Sequence, residues 1–316
     1  MSEGDRLCVR EAGIFTTVQD QGRFGSQAFG VPISGAMDWL SAEIANGLVG
    51  NAPHAALLEI TLGKFACVLS RAAWIAVTGA DVVISLGGDA VAEPWVPFMA
   101  TAGEEIRMTR MSGALGMRTY LAAHGGLDLP PVLGSRSTFV AAQLGPMPRP
   151  IRAGDELPLG EGTGAPIRSG TPAHLRPRYE RSVTARVVLG PQAHRFTQEG
   201  IEAFLGAPYT VTPQSDRTGY RLEGARIAHQ GAADIISDPI PTGAVQVPGS
   251  GQPVLLMADH RVTGGYAKIA TVISRDLPAV AQALPGTEIR FESVSVERAH
   301  ALRLELRTSL GDAGFG

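Results

Sequence analysis

Glycine and proline break this chain so often that long regular elements have little room. Its 316 residues include 39 Gly and 22 Pro, both above average usage and both strong punctuators of local structure. Between them lie short alternating apolar and polar runs of the kind half-buried strands require. Strands are expected at 64–69, 74–77, 81–86, 105–110 and 119–122, then at 184–189, 209–212, 246–247, 253–258, 269–273 and 288–292. Short strands at this density favour barrels or sandwiches, so the expected fold class is mainly β with a few helices. Helices are expected at 35–49, 198–205, 278–284 and 295–309. In the first, Met37, Leu40, Ile44 and Leu48 recur at helical spacing, with Ser34 as the expected N-cap and Gly50-Asn51 as the stop. Thr197 is expected to cap the second, and Pro278 to open the third.

Between 158 and 177, 11 of 20 residues are Gly, Pro, Ser or Thr and no apolar periodicity survives. A structureless stretch of that length is uncommon inside a compact domain. Two domains are therefore expected, 1–165 and 166–316, with an approximate boundary and terminal segments free to cross over. Val31-Pro32-Ile33-Ser34-Gly35 and Val247-Pro248-Gly249-Ser250-Gly251 share V-P-x-S-G, one copy on each side of the seam, as two related domains would leave behind.

Composition excludes several functions. A net charge of −3 argues against nucleic-acid binding through general electrostatics. The opening MSEGDRLCVREAG lacks a basic region followed by an apolar run, and no stretch is apolar enough to span a bilayer. A cytoplasmic chain with no membrane partner is expected. Cys8 and Cys67 cannot build a disulfide framework. No P-loop, no G-x-S-x-G elbow and no complete dinucleotide fingerprint is present. The histidines are never closer than 20 residues, so no local ligand pair exists and no metal is expected.

Three loops combine glycine with polar side chains. The first, 16–38, carries Gln19, Asp20, Arg23, Ser34 and Asp38. Glycine lets backbone approach a ligand, and a capped helix start offers N–H donors to an anion; plain turn capping explains the same residues. The second, 215–224, holds Asp216, Arg217, Tyr220 and Arg221. Here an arginine would clamp a carboxylate or phosphate, with Asp216 as orienter or base; a self-satisfied salt-bridged turn is the competing account. The third, 247–269, brings Asp259, His260 and Arg261 to the end of a buried strand, followed by a Gly-Gly turn and Lys268. Only two lysines, Lys64 and Lys268, stand among 27 basic residues. A lysine retained in so arginine-rich a chain is either a chance surface position or a compact, tunable charge. If these charges touch the substrate, replacing Lys268 or Arg217 is expected to cut activity about ten-fold or more and change folding little; a merely structural turn predicts the reverse.

Taken together, TTVQDQGRFGSQAFGVPISGAMD (16–38), LLEITLG (57–63), YLAAHGGLDLPPVLGSRST (120–138), GPQ (190–192), SDRTGYRLEG (215–224) and SDPIPTGAVQVPGSGQPVLLMADHRVTGGYAKIATVI (237–273) resemble the biotin-dependent carboxyltransferase family. That family includes the 5-oxoprolinase C subunit, allophanate hydrolase subunit 2 and the carboxyltransferase region of urea carboxylase. Thr218, His260-Arg261-Val262, Ala267 and His124 stand where the family pattern carries Met, Arg-Gln-Thr, Pro and a small apolar residue. The resemblance implies two cyclophilin-like β-barrel domains and a paired, related partner chain.

For a stand-alone chain the resemblance implies the C subunit of an ATP-dependent 5-oxoprolinase. It would open 5-oxoproline to L-glutamate with a paired B subunit of the same family and a lactam-opening A subunit. Asp216, Arg217, Asp259 and Lys268 are then the expected catalytic group. Arg221, Tyr220, Ser250, Gly251, His260 and Arg261 are expected around the substrate, with Ser250 and Gly251 donating from the backbone and ATP shared with the partners. The first alternative is carboxyl transfer from carboxybiotin, on a separate carrier, to urea or a related amide. The second is a non-enzymatic regulator binding a kinase-inhibitor partner.

Overall fold

The computed structural model describes residues 4–88, 90–162 and 167–315. The expected division between 165 and 166 lies outside the described residues. The chain forms two compact units: one takes the residues up to Arg23, Ser34–Arg178 and the chain from Thr308 onward, the other Phe24–Ile33 and Tyr179–Arg307.

The first unit begins with β1 (Arg6–Glu11), β2 (Phe15–Gln19) and α1 (Trp39–Leu48). It continues with β3 (Leu57–Thr61), β4 (Phe65–Leu69), β5 (Ala73–Gly79), β6 (Val82–Leu86) and β7 (Ala90–Ala92). β8 (Phe98–Ala100), β9 (Glu105–Arg110), β10 (Arg118–Ala123) and β11 (Glu156–Pro158) complete it. Its sheets run in the orders β11-β1-β4-β9-β6-β7 and β2-β3-β10-β5-β8. Alternation works as the sequence suggests: in β9, Ile106 and Met108 point inward and the neighbouring Glu105 and Arg107 do not. Val9, Cys67 and Ile84 from one sheet join Val18, Leu58 and Leu121 from the other in a single core.

In the second unit, β12 (Ser182–Leu189), α2 (Gln198–Gly206), β13 (Tyr209–Val211) and β14 (Gly219–Gly224) are followed by β15 (Asp234–Pro239), β16 (Ala244–Gln246) and β17 (Val254–Leu256). Next come β18 (Thr263–Tyr266), β19 (Lys268–Val272), α3 (Leu277–Ala281) and β20 (Glu288–Ser293), then α4 (Val296–Asp312), which belongs to this unit as far as Arg307. Seven strands close into a barrel in the order β12-β19-β16-β17-β14-β13-β20. The closing β12–β20 pair is parallel, which removes the exposed edges an open sheet would present. β15 and β18 form a separate two-stranded ribbon. The protein is thus mostly β, with four α-helices among the described residues.

Two expectations are corrected. The first helix starts at Trp39 and not at 35, and its N-cap is Asp38, whose Oδ1 accepts from the Ser41 amide at 2.9 Å. Ser34 cannot cap it because Ser34 and Gly35 are both left-handed, at φ 60° and 88°. β3 escaped the period-two reading because its face-alternation is lost: Leu57 to Ile60 are all buried, Glu59 included. The V-P-x-S-G echo does mark a shared device, since Gly251, like Gly35, has positive φ, at 77°. A Cβ would lie 2.9 Å from the Gln21 carbonyl carbon at Gly35 and 2.5 Å from Arg226 Cγ at Gly251, so both turns need glycine.

Thr197 caps α2 as expected, its Oγ1 accepting from the Gly200 amide at 3.0 Å. Thr197→Ala should cost about 1 kcal/mol of stability, read as a lower midpoint in urea unfolding, while Thr197→Ser should retain most of it.

Candidate functional site

The 16–38 loop is built as a rigid frame around buried polar groups. Asp20 is its staple: its carboxylate accepts from the Gly22 amide at 2.8 Å, Ser135 Oγ at 2.7 Å and the Arg136 amide at 2.6 Å. Gln19, fully buried, donates to Thr17 Oγ1 at 2.9 Å and the Thr138 carbonyl at 3.1 Å. Buried Arg23 donates to the Ser137 carbonyl, and Ser34 Oγ reaches the Thr138 carbonyl at 3.4 Å. Below them the Asp38 amide donates to Tyr120 Oη at 2.8 Å, and that hydroxyl donates to Glu59 Oε2 at 2.8 Å. Glu59 lies 3.7 Å from the Arg118 guanidinium. Burial, then the Glu59 and Asp38 carboxylates, push the Tyr120 phenol well up, so it remains a proton donor at neutral pH. The structure therefore gathers Gln19, Asp20, Arg23 and Ser34 onto the 135–138 segment, where they fix backbone.

In the barrel, the 215–224 and 247–269 loops yield two clusters. Arg217 and Asp259 form a bidentate pair, Nε to Oδ2 at 2.8 Å and Nη2 to Oδ1 at 3.0 Å. Beside it, buried His260 contacts Thr242 Oγ1 at 3.0 Å and the Arg261 carbonyl at 2.7 Å. Burial outweighs the Arg261 carbonyl and Asp259 and lowers its pKa, keeping the ring neutral. Asp216 turns the chain, accepting from the Thr218 amide at 2.8 Å and the Gly219 amide at 3.2 Å. Tyr220 belongs to the core, its hydroxyl donating to the Ala281 carbonyl at 2.9 Å. Arg221, Ser250 and Arg261 are exposed, and the Gly251 amide donates to the Pro248 carbonyl at 2.9 Å.

The second cluster surrounds Lys268. Its ammonium is buried and paired with Asp238 Oδ1. Gln192 completes the group, accepting from the Lys268 amide at 3.0 Å and donating to Asp238 Oδ2 at 2.6 Å. Burial raises the Asp238 carboxyl, but the hydrogen bonds from Lys268 and Gln192 and the Lys268 charge overcome it and hold the group below its ordinary value. Asp238 is the accessible member, with one-third (33%) of its side chain exposed against 5% for Lys268. β16 runs between the clusters. Its last residue, Gln246, faces Lys268, while Gly243, just before its first, donates to the Leu256 carbonyl beside the Arg217–Asp259 pair.

A model of the carboxyltransferase domain, subdomain A and B, matches residues 29–293. The chain belongs to this carboxyltransferase-domain family. It is 38% identical over 295 residues to the 5-oxoprolinase C subunit of Escherichia coli, covering 93% of each chain. It is 36% identical over 289 residues to the Haemophilus influenzae protein of the same name, covering 91% of each. The crystal structure of the K. lactis urea amidolyase superposes on all of this chain with a TM-score of 0.91 at 29% identity, and the match covers 20% of that longer chain.

In this carboxyltransferase-domain chain, sequence reasoning nominated Lys268 without its partners. Asp238 and Gln192 both lie in stretches that carry the family resemblance, SDPIPTG and GPQ, yet neither shows a local chemical signal. Glu59 did leave one, a lone charge inside the apolar run LLEITL. Among the described residues no group of three His, Cys, Asp or Glu side chains is placed to hold a metal ion, and no helix is long and apolar enough to cross a membrane.

Arg217 and Lys268 are buried, at 8% and 4% exposure, so neither is the surface position at which a replacement leaves folding unchanged. Arg217→Ala strands the Asp259 carboxylate and should cost about 3 kcal/mol in denaturant unfolding, with Arg217→Met/Asp259→Leu recovering most of it. The Asp238 carboxyl is depressed on folding, so its contribution to stability is present at neutral pH and is lost as pH falls through its folded-state value, below about 4. In Lys268→Met, burial acts with much less opposition, and NMR titration should find the Asp238 midpoint shifted upward.

Proposed function

We propose that this chain is the C subunit of an ATP-dependent 5-oxoprolinase. In this reading it works in the cytoplasm with a paired B subunit and a lactam-opening A subunit to convert 5-oxoproline to L-glutamate. The supporting observation is the two-way coverage: the match takes in 93% of the Escherichia coli protein and 93% of this chain. In the urea amidolyase of Lachancea kluyveri the matching region is 17% of the protein.

The Asp238 cluster suits an amide substrate. A carboxylate kept ionised by Lys268 and oriented by Gln192 is an acceptor for an amide N–H, and its one-third exposure leaves it reachable. Arg261, exposed and two residues before β18, supplies positive charge for a substrate carboxylate. Several anion donors of these loops are already engaged. The Gly251 amide is spent on Pro248, Arg217 is held by Asp259 and Lys268 by Asp238. In this reading, nucleotide chemistry belongs to the partner chains, and this chain binds and orients the amide.

Carboxyl transfer from carboxybiotin to urea or a related amide is the second reading, favoured by the TM-score of 0.91 to a urea amidolyase. Asp238 would serve there equally, accepting from a urea N–H group, with the biotin on a separate carrier.

The test is 5-oxoproline-dependent ATP hydrolysis by the chain alone and with its A and B partners. Little turnover is expected alone and full turnover with both partners; full activity from the isolated chain would defeat the dependence. Turnover of urea and bicarbonate with a biotin carrier would select the second reading. Within the complex, Asp238→Asn should lower kcat/KM at least ten-fold, about 1.4 kcal/mol of transition-state stabilisation.

A further inference from the structure

The first unit carries a groove of about 900 Å³, a volume typical of small-molecule sites. It opens where β1 turns into β2 and β3 into β4, at the opposite end of β2 from the 16–38 loop. Four cations line it, Arg10, Lys64, Arg110 and Arg152, against the one carboxylate of Glu11. The chain as a whole has a net charge of −3, so this is a strong local reversal of sign. It also holds the other of the chain's two lysines.

The carboxylate does not neutralise the groove. Glu11 is shared between Lys64 at 2.7 Å and Arg107 at 2.8 Å. Arg110 is anchored on backbone oxygens, the Ala114 and Gly116 carbonyls at 2.5 Å each, and burial draws its pKa down. Such a group gains from an anion in contact. Arg10 and Arg152 are exposed; the Arg152 amide donates to Asp155 Oδ2 at 2.8 Å, and the Arg152 charge helps hold that carboxyl below its ordinary value. A single carboxylate would leave most of this excess charge unanswered, whereas a phosphate group carries about −1.5 to −2 at neutral pH and accepts bidentate bonds from guanidinium groups.

The groove is also larger than a bare oxyanion requires, and part of its wall is apolar. Ile14 is 76% exposed at its mouth and Ile151 is buried in its wall. Leu62 lines it from a left-handed backbone position, φ 57°, which disfavours leucine by about 1 kcal/mol. The tight turn between β3 and β4, where Gly63 also has positive φ at 51°, sets that conformation and places the Leu62 side chain on the groove.

We propose that this groove binds a small phosphorylated organic molecule, its phosphate among Arg10, Lys64 and Arg152 and its apolar part against Ile14, Leu62 and Ile151. The site is distinct from the Asp238 cluster and needs no partner chain.

Isothermal titration of the full chain with ADP, pyrophosphate and citrate separates the contributions. ADP and pyrophosphate should bind saturably, ADP more tightly. Arg10→Glu/Arg152→Glu should weaken both at least ten-fold with at most a small fall in melting temperature, because both side chains are exposed and only the Arg152 attraction to Asp155 is lost among the pairings described. Ile14→Ser should weaken ADP and leave pyrophosphate as it was, and Lys268→Met should alter neither. Citrate binding as tightly as ADP would overturn the phosphate assignment. Equal affinity in Arg10→Glu/Arg152→Glu would overturn the site, and no saturable binding of any probe up to about 10 mM would overturn the proposal outright. None of these readings depends on turnover, so they stand apart from the 5-oxoprolinase test.

Discussion

The ammonium of Lys268 is taken out of water at the start of β19, and a buried charge is tolerable only when another group answers it. Asp238 and Gln192 do so from a ribbon strand and from the loop after β12. The demand recurs through the protein. Arg217 takes Asp259, and Glu59 gathers Tyr120, the Met37 amide and Arg118. Each assembly joins chain segments far apart in sequence. The loops are therefore held by charge pairing as well as by apolar packing.

The barrel turns that demand into geometry. Closure by the parallel β12–β20 pair fixes the register of every strand between. The register then separates what the sequence presents as one polar region. Arg217 and Asp259 staple the ends of β14 and β17, as their backbone pairing at 2.9 Å shows, while Lys268 faces Gln246 at the other end of β16. One cluster has both members shut away; the other keeps a carboxylate in reach of solvent. That difference is why Asp238 is the better candidate for touching a substrate and Arg217 the better candidate for holding the barrel.

The similarity to both 5-oxoprolinase chains and a urea amidolyase is physically coherent. 5-Oxoproline and urea each present amide N–H groups, and an ionised, oriented carboxylate accepts from either.

Much of the fold was written in local sequence. Alternation in β9 and β12, the Thr197 cap and the glycine shared by the two V-P-x-S-G turns are short-range effects, because strand period, capping and positive φ are decided by a few adjacent residues. The family, too, was legible from ordered motifs. Where the first helix begins was decided by the left-handed turn at Ser34-Gly35, and β3 was hidden because a buried charge spoils the alternation that reveals strands. The candidate site lay beyond reach for a plainer reason. Lys268 meets Asp238 across 30 residues and Gln192 across 76, and the groove collects Arg10, Lys64, Arg110 and Arg152 from four separate segments of the chain. No local period encodes such meetings. Residue types and turns were determined by the sequence alone; which charges answer one another, and which remain open to a ligand, was decided by strand register and burial in the tertiary structure.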